Sequence, residues 1–90
     1  MFALKVLFRD PAAAQDAMAR LRSTLEQPRS GPAEYYQVLE QILAEGCQLE
    51  HAVYAERDVV ACTVRGLDDA KAAMAEAAFL DAGALEVIAE

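Results

Sequence analysis

Two arginines open matching stretches of the chain: RDPAAAQDAMA runs from Arg9 to Ala19 and RGLDDAKAAMA from Arg65 to Ala75, with five of eleven residues identical. Each precedes an expected helix start, at Asp10-Pro11 and at Gly66-Leu67. A guanidinium beside the positive end of a helix is suited to holding a carboxylate or phosphate, because it offers a planar fork of donors where free backbone N–H groups also point. The bland alternative is that each arginine is neutralised by a nearby acid in a surface ion pair. Tyr54, Lys5 and Thr63 are expected to face the same way as the arginines, as are the acids Glu50, Glu56 and Glu86. His51 is the one histidine; a general base needs access to substrate as well as a tunable pKa. Its position in an apolar row predicts a partly buried edge residue with one hydrogen bond.

Several chemistries find no support in residue type or spacing. A single histidine and two cysteines without CxxC spacing make no metal or redox motif. No phosphate-binding glycine loop or nucleophile elbow is present. No cofactor is therefore expected. A net charge of −7 argues against a nucleic-acid partner, which needs a concentrated positive surface. The start, MFALKVLF, meets Arg9, Asp10 and Pro11 before an apolar run could become a leader or a span. No membrane association is expected, and the cytoplasm is the expected location. Cys47 and Cys62 are read as reduced packing thiols, too far out of register to meet.

The elements that must position these groups follow from periodicity. Phe2 to Arg9 alternates, with Phe2, Leu4, Val6 and Phe8 on one face and Ala3, Lys5, Leu7 and Arg9 on the other, as a strand does. Asp10 and Pro11 then start a helix with Ala14, Ala17, Met18, Leu21 and Leu25 inward. Pro28 to Gly31 breaks it. A second helix from Pro32 to Gly46 carries Tyr35, Val38, Leu39, Ile42 and Leu43 as its apolar stripe and is expected to lie on the surface of the core. One of Tyr35 and Tyr36 is expected in the core and the other near its rim. Cys47 to Ala55 and Val59 to Arg65 read as strands joined around Glu56-Arg57-Asp58. Gly66 to Asp81 reads as a helix with Leu67, Ala70, Ala73, Met74, Ala77 and Leu80 inward, and Leu85 to Ala89 as a closing strand.

The echo thus joins a strand to its following helix twice, and the chain reads as two βαβ halves, the first with an inserted helix. Two such units in one sheet predict a single ferredoxin-like domain over residues 1–90, of α+β class, with a four-stranded antiparallel sheet and the helices on one face. The first and third strands are expected at the centre, side by side and running the same way. The uncovered face then collects Arg9, Lys5, Leu7, Tyr54, Thr63, Arg65 and Ile88. If opposed hairpin positions sum to 115, Glu50 meets Arg65, and by pseudo-symmetry Glu86 approaches Arg9.

In element order the chain resembles the dimeric α/β-barrel group of ferredoxin-like proteins, which includes cofactor-free monooxygenases, isomerases and stress-response domains. It is similarly reminiscent of small amino-acid-binding regulatory domains with the βαββαβ order. No functional residue transfers from that resemblance. The sequence therefore predicts a homodimer, paired face to face or through edge strands, that binds a partner or a small anionic or hydrophobic metabolite without catalysis. Its candidate ligand residues are Arg9, Arg65, Tyr54, Lys5, Thr63 and His51. The alternative is a cofactor-independent enzyme of the dimeric barrel kind.

Overall fold

The computed structural model describes residues 2–46 and 48–90, and for Phe2 the backbone alone. Strand β1 spans Phe2–Phe8, helix α1 Pro11–Glu26, helix α2 Ala33–Glu45, strand β2 Leu49–Tyr54, strand β3 Arg57–Leu67, helix α3 Asp69–Asp81 and strand β4 Glu86–Ala89. The sheet order is β2-β3-β1-β4 and every neighbouring pair is antiparallel. This is the ferredoxin-like α+β arrangement. The core sits between sheet and helices, where Leu4, Val6 and Phe8 of β1 meet Cys62 and Val64 of β3.

One expectation about direction is overturned. β1 and β3 are central neighbours but run opposite ways. The reason lies in the connections: the crossover from β1 makes β2 parallel to β1, and the hairpin then reverses β3. Arg9 and Arg65 consequently leave opposite ends of the sheet. Lys5 opposes Thr63 and Leu7 opposes Ala61, so the two arginines stand about six strand residues, or roughly 20 Å, apart.

The hairpin register also differs. Glu50 faces Ala61, Ala52 faces Val59 and Tyr54 faces Arg57, four residues away from the expected pairing. Parity is preserved, so each side chain keeps its predicted face, but Glu50 does not meet Arg65. The turn is the two residues Ala55 and Glu56, with φ of 52° and 65°. Two-residue hairpin turns with positive φ normally carry Asn-Gly, because side chains other than glycine clash there at about 1–2 kcal/mol per residue. Replacing Ala55-Glu56 by Asn-Gly should raise stability by about 1–2 kcal/mol in urea unfolding; an unchanged or lower midpoint would contradict the strained turn.

Cys62 is buried and disulfide-bonded, which corrects the expectation of a reduced thiol. The expected register had set Cys62 opposite Val53, whereas the observed one sets it opposite Leu49. The other cysteine of the sequence, Cys47, lies outside the described residues.

β3 runs on to Leu67, where the sequence had suggested a helix from Gly66. Between Phe2 and Leu4 the pairing skips, as β3 spends Arg65 and Gly66 on a bulge. Gly66 takes φ of 76° there, and Gln41 of α2 donates to the carbonyls of Arg65 and Gly66 at 3.2 and 3.4 Å. Asp68 then caps α3 by accepting from the Lys71 N–H at 2.8 Å, as Asp10 caps α1 through Ala13 at 2.8 Å. The two caps are two positions further apart than the sequence echo. Measured from its cap, Ala17 of α1 corresponds to Ala75 of α3, and Leu21 to Phe79.

That shift turns α3 away from its expected face. Ala75, Ala78 and Phe79 are buried, while Ala70, Ala73, Ala77 and Leu80 are exposed. Phe79 packs edge-on against Phe8, with centroids 6.2 Å apart. Helix α2 lies between α1 and α3 and touches both. Its Val38, Leu39 and Ile42 are fully buried while Glu34, Gln37, Glu40 and Glu45 are exposed, so it packs on the core as the expected amphipathic helix. Tyr36 is the core tyrosine and Tyr35 the half-buried one. The Tyr36 hydroxyl accepts from the N–H groups of Ser30 and Gly31 at 3.0 and 3.1 Å, and Arg29 lies over its ring at 5.3 Å, tying the α1–α2 loop to α2.

Candidate functional site

The face of the sheet without helices has its own small apolar centre. Leu7, Val59 and Ala61 are only 3–5% exposed, with Ala52 packed against them. Tyr54 of β2 interacts with the Glu86 carboxylate of β4 across the two central strands. Hydrogen bonding to that carboxylate, and its negative charge, push the Tyr54 phenol above its ordinary pKa. Glu86 was expected beside Arg9, and its contact is with Tyr54 instead.

A raised pKa means that this contact holds the neutral phenol. The stability it contributes is present below pH 10.0, the ordinary phenol value, and is lost as pH rises through the raised value. Glu86→Gln should therefore lower the titration of Tyr54, followed through its ring carbon signal by NMR. A Tyr54 titration that ignores the substitution would rule the contact out.

At the hairpin end of this face lies a groove of about 370 Å³, lined by Arg9, Tyr54, Ala55, Arg57, Asp58, Val59 and Leu85. The strand exit at Phe8 delivers Arg9, and the tight turn at Ala55-Glu56 delivers Tyr54 and Arg57 as opposed residues. Val59 is its apolar floor. The charges differ in how they are engaged. Arg9 pairs with its neighbour Asp10 at 3.3 Å, both largely in solvent, where screening leaves such a pair weak. The Ala13 N–H donated to Asp10, with the Arg9 charge beside it, holds the Asp10 carboxyl below its usual range. Asp58 pairs with His51 at 2.9 Å. Arg57 has no ion-pair partner among the described residues.

No family model, curated protein or solved structure matches this chain. What the groove can do must follow from its own groups. Two guanidinium groups and a phenol hydroxyl above an apolar floor can hold a small organic anion: the guanidinium forks take a carboxylate and the floor takes a short carbon chain.

Of the sequence candidates, the structure brings Arg9 and Tyr54 together here. Lys5 and Thr63 are opposed on the same face, half-buried, further toward its middle. Arg65 is exposed at the far end. His51 lies on the other face of β2, where the helices do not reach it; its side chain is 70% exposed and bonded to Asp58, so the partly buried placement is corrected. Arg57 was missed. It had been placed in the hairpin loop, and no glycine or asparagine at Ala55-Glu56 signalled that the turn comes two residues earlier.

A second groove of about 320 Å³ runs between α1, the end of α2 and β2, lined by Ala14, Gln15, Met18, Arg22, Leu43, Gly46 and Leu49. Among the described residues it offers one cation, Arg22, and one polar side chain, Gln15. Among the described residues there is no cluster of three metal-ligating side chains and no helix long and apolar enough to cross a membrane.

Proposed function

We propose that this protein is a homodimeric, non-catalytic domain that binds a small organic anion in the groove formed by Arg9, Arg57 and Tyr54. The observation that carries this reading is the Arg57 guanidinium, without an ion-pair partner among the described residues, beside Tyr54 and Arg9 and above the buried Val59. A cation without an ion-pair partner at the mouth of an apolar groove gains most from a carboxylate, because a charge-assisted bidentate contact then replaces solvent. The alternative, a cofactor-independent enzyme on a small carboxylated substrate, draws no support from the space between sheet and helices. Among the described residues that space is packed with aliphatic side chains, phenylalanine, the disulfide-bonded Cys62 and Tyr36, whose hydroxyl is already engaged by the N–H groups of Ser30 and Gly31. Catalysis would need at least two polar groups converging there.

The binding reading is tested by thermal shift with inorganic phosphate and a panel of short mono- and dicarboxylates. A ligand at 100 times its dissociation constant adds about 2.7 kcal/mol, which moves the midpoint of a domain this size by about 10 °C or more. A panel that produces no shift at saturating millimolar concentration counts against it.

A further inference from the structure

We infer that two copies of this chain pair through strand β2, antiparallel about a two-fold axis at His51, to make one continuous eight-stranded sheet. The inference rests on the homodimer reading above and settles which surface carries it. β2 is an edge strand whose only substantial packing partner is β3. Exposed edges are normally blunted by charged side chains, lysine above all, by proline, a bulge or a covering helix, and on this edge the one carboxylate is Glu50. Leu49–Tyr54 contains no proline or lysine, pairs with β3 through six consecutive residues without a bulge, and is not covered by a helix.

Side chains on this edge complement a second copy. Val53 is 65% exposed, the most exposed large apolar side chain among the described residues. In the register centred on His51, Val53 opposes Leu49 of the other copy twice, and Glu50 opposes Ala52, so no carboxylate faces a carboxylate. Each His51 keeps its own Asp58, at 2.9 Å. The other edge, β4, has four residues and offers a shorter ladder. A face-to-face dimer gains less from the sheet centre, because Leu7, Val59 and Ala61 are already 3–5% exposed in one copy.

The test combines sedimentation with two substitutions, each checked by circular dichroism for an intact fold. Val53→Lys should raise the dimer dissociation constant by about a hundredfold, roughly tenfold for each of the two valines lost. Ile88→Lys, on the open face, should leave it unchanged. His51→Cys, under mild oxidation, should give a covalent dimer through the introduced thiol, since directly opposed strand residues lie within disulfide reach. A dimer that survives Val53→Lys but is lost with Ile88→Lys overturns edge pairing while leaving the homodimer reading intact. A non-covalent dimer that never cross-links through position 51 overturns the register. A wild-type protein that is monomeric at all concentrations overturns both readings.

Discussion

Phe79→Ala lowers the unfolding free energy by about 3–5 kcal/mol, whereas Leu80→Ala changes it by less than about 1 kcal/mol. The contrast is sharp because adjacent helix positions point about 100° apart. Phe79 is fully buried against Phe8, and Leu80 is 45% exposed. Removing the ring loses its transfer free energy, the edge-to-face contact of about 0.5–1.5 kcal/mol, and the packing around the space it leaves. A domain of this length has of order 5–13 kcal/mol in total, so the Phe79 variant should be close to unfolding at physiological temperature. Phe79→Leu, which refills most of the volume, keeps the comparison measurable. A larger loss at Leu80 than at Phe79 would mean that α3 presents the face expected from the sequence, and equal losses would contradict the burial contrast between the two.

Ile42→Ala costs about 2–5 kcal/mol, as much as a comparable truncation in the sheet. Truncation at an exposed position of the same helix would cost far less. Ile42 is fully buried between the other helices and the sheet, beside Val38 and Leu39. The same helix holds the β3 bulge through Gln41 and its own leading loop through Tyr36. Urea unfolding followed by circular dichroism reads the effect directly. A loss below about 1 kcal/mol would mean that Ile42 does not face the core.

Strand faces were legible in the sequence because alternation has a period of two and survives any even shift of register. Leu4, Val6 and Phe8 turned inward and Leu7 outward as expected. The face of α3 was not legible, because alanines lie on every side of it and the one large ring, Phe79, is adjacent to an equally apolar Leu80. The hairpin register was hidden for a different reason: Ala55 and Glu56 adopt positive φ without the residues that usually announce it. That turn moved Arg57 into the groove, removed Glu50 from Arg65 and set Cys62 opposite Leu49. The direction of β3 was deducible from the crossover and the hairpin together, and it dissolves the two-arginine site that the sequence echo suggested. Arg9 keeps a place in the candidate site, with Arg57 in the role first given to Arg65.

The strained turn also bears on function. Ala55 lines the groove and Glu56 follows it. Local backbone strain of this kind is retained where the surrounding geometry matters, and here it places Tyr54 and Arg57 directly across from each other.

The most direct test is an amide-resolved NMR titration of the wild-type chain and of Arg57→Ala with succinate and with inorganic phosphate. Saturable shifts confined to Arg9 and to Tyr54 through Val59 are expected in the wild type. In Arg57→Ala the dissociation constant should rise about ten- to a hundredfold, since a hydrogen bond to a charged group is worth about 1.5–3 kcal/mol. Shifts that are absent, or that persist with the same affinity in Arg57→Ala, would contradict the anion groove.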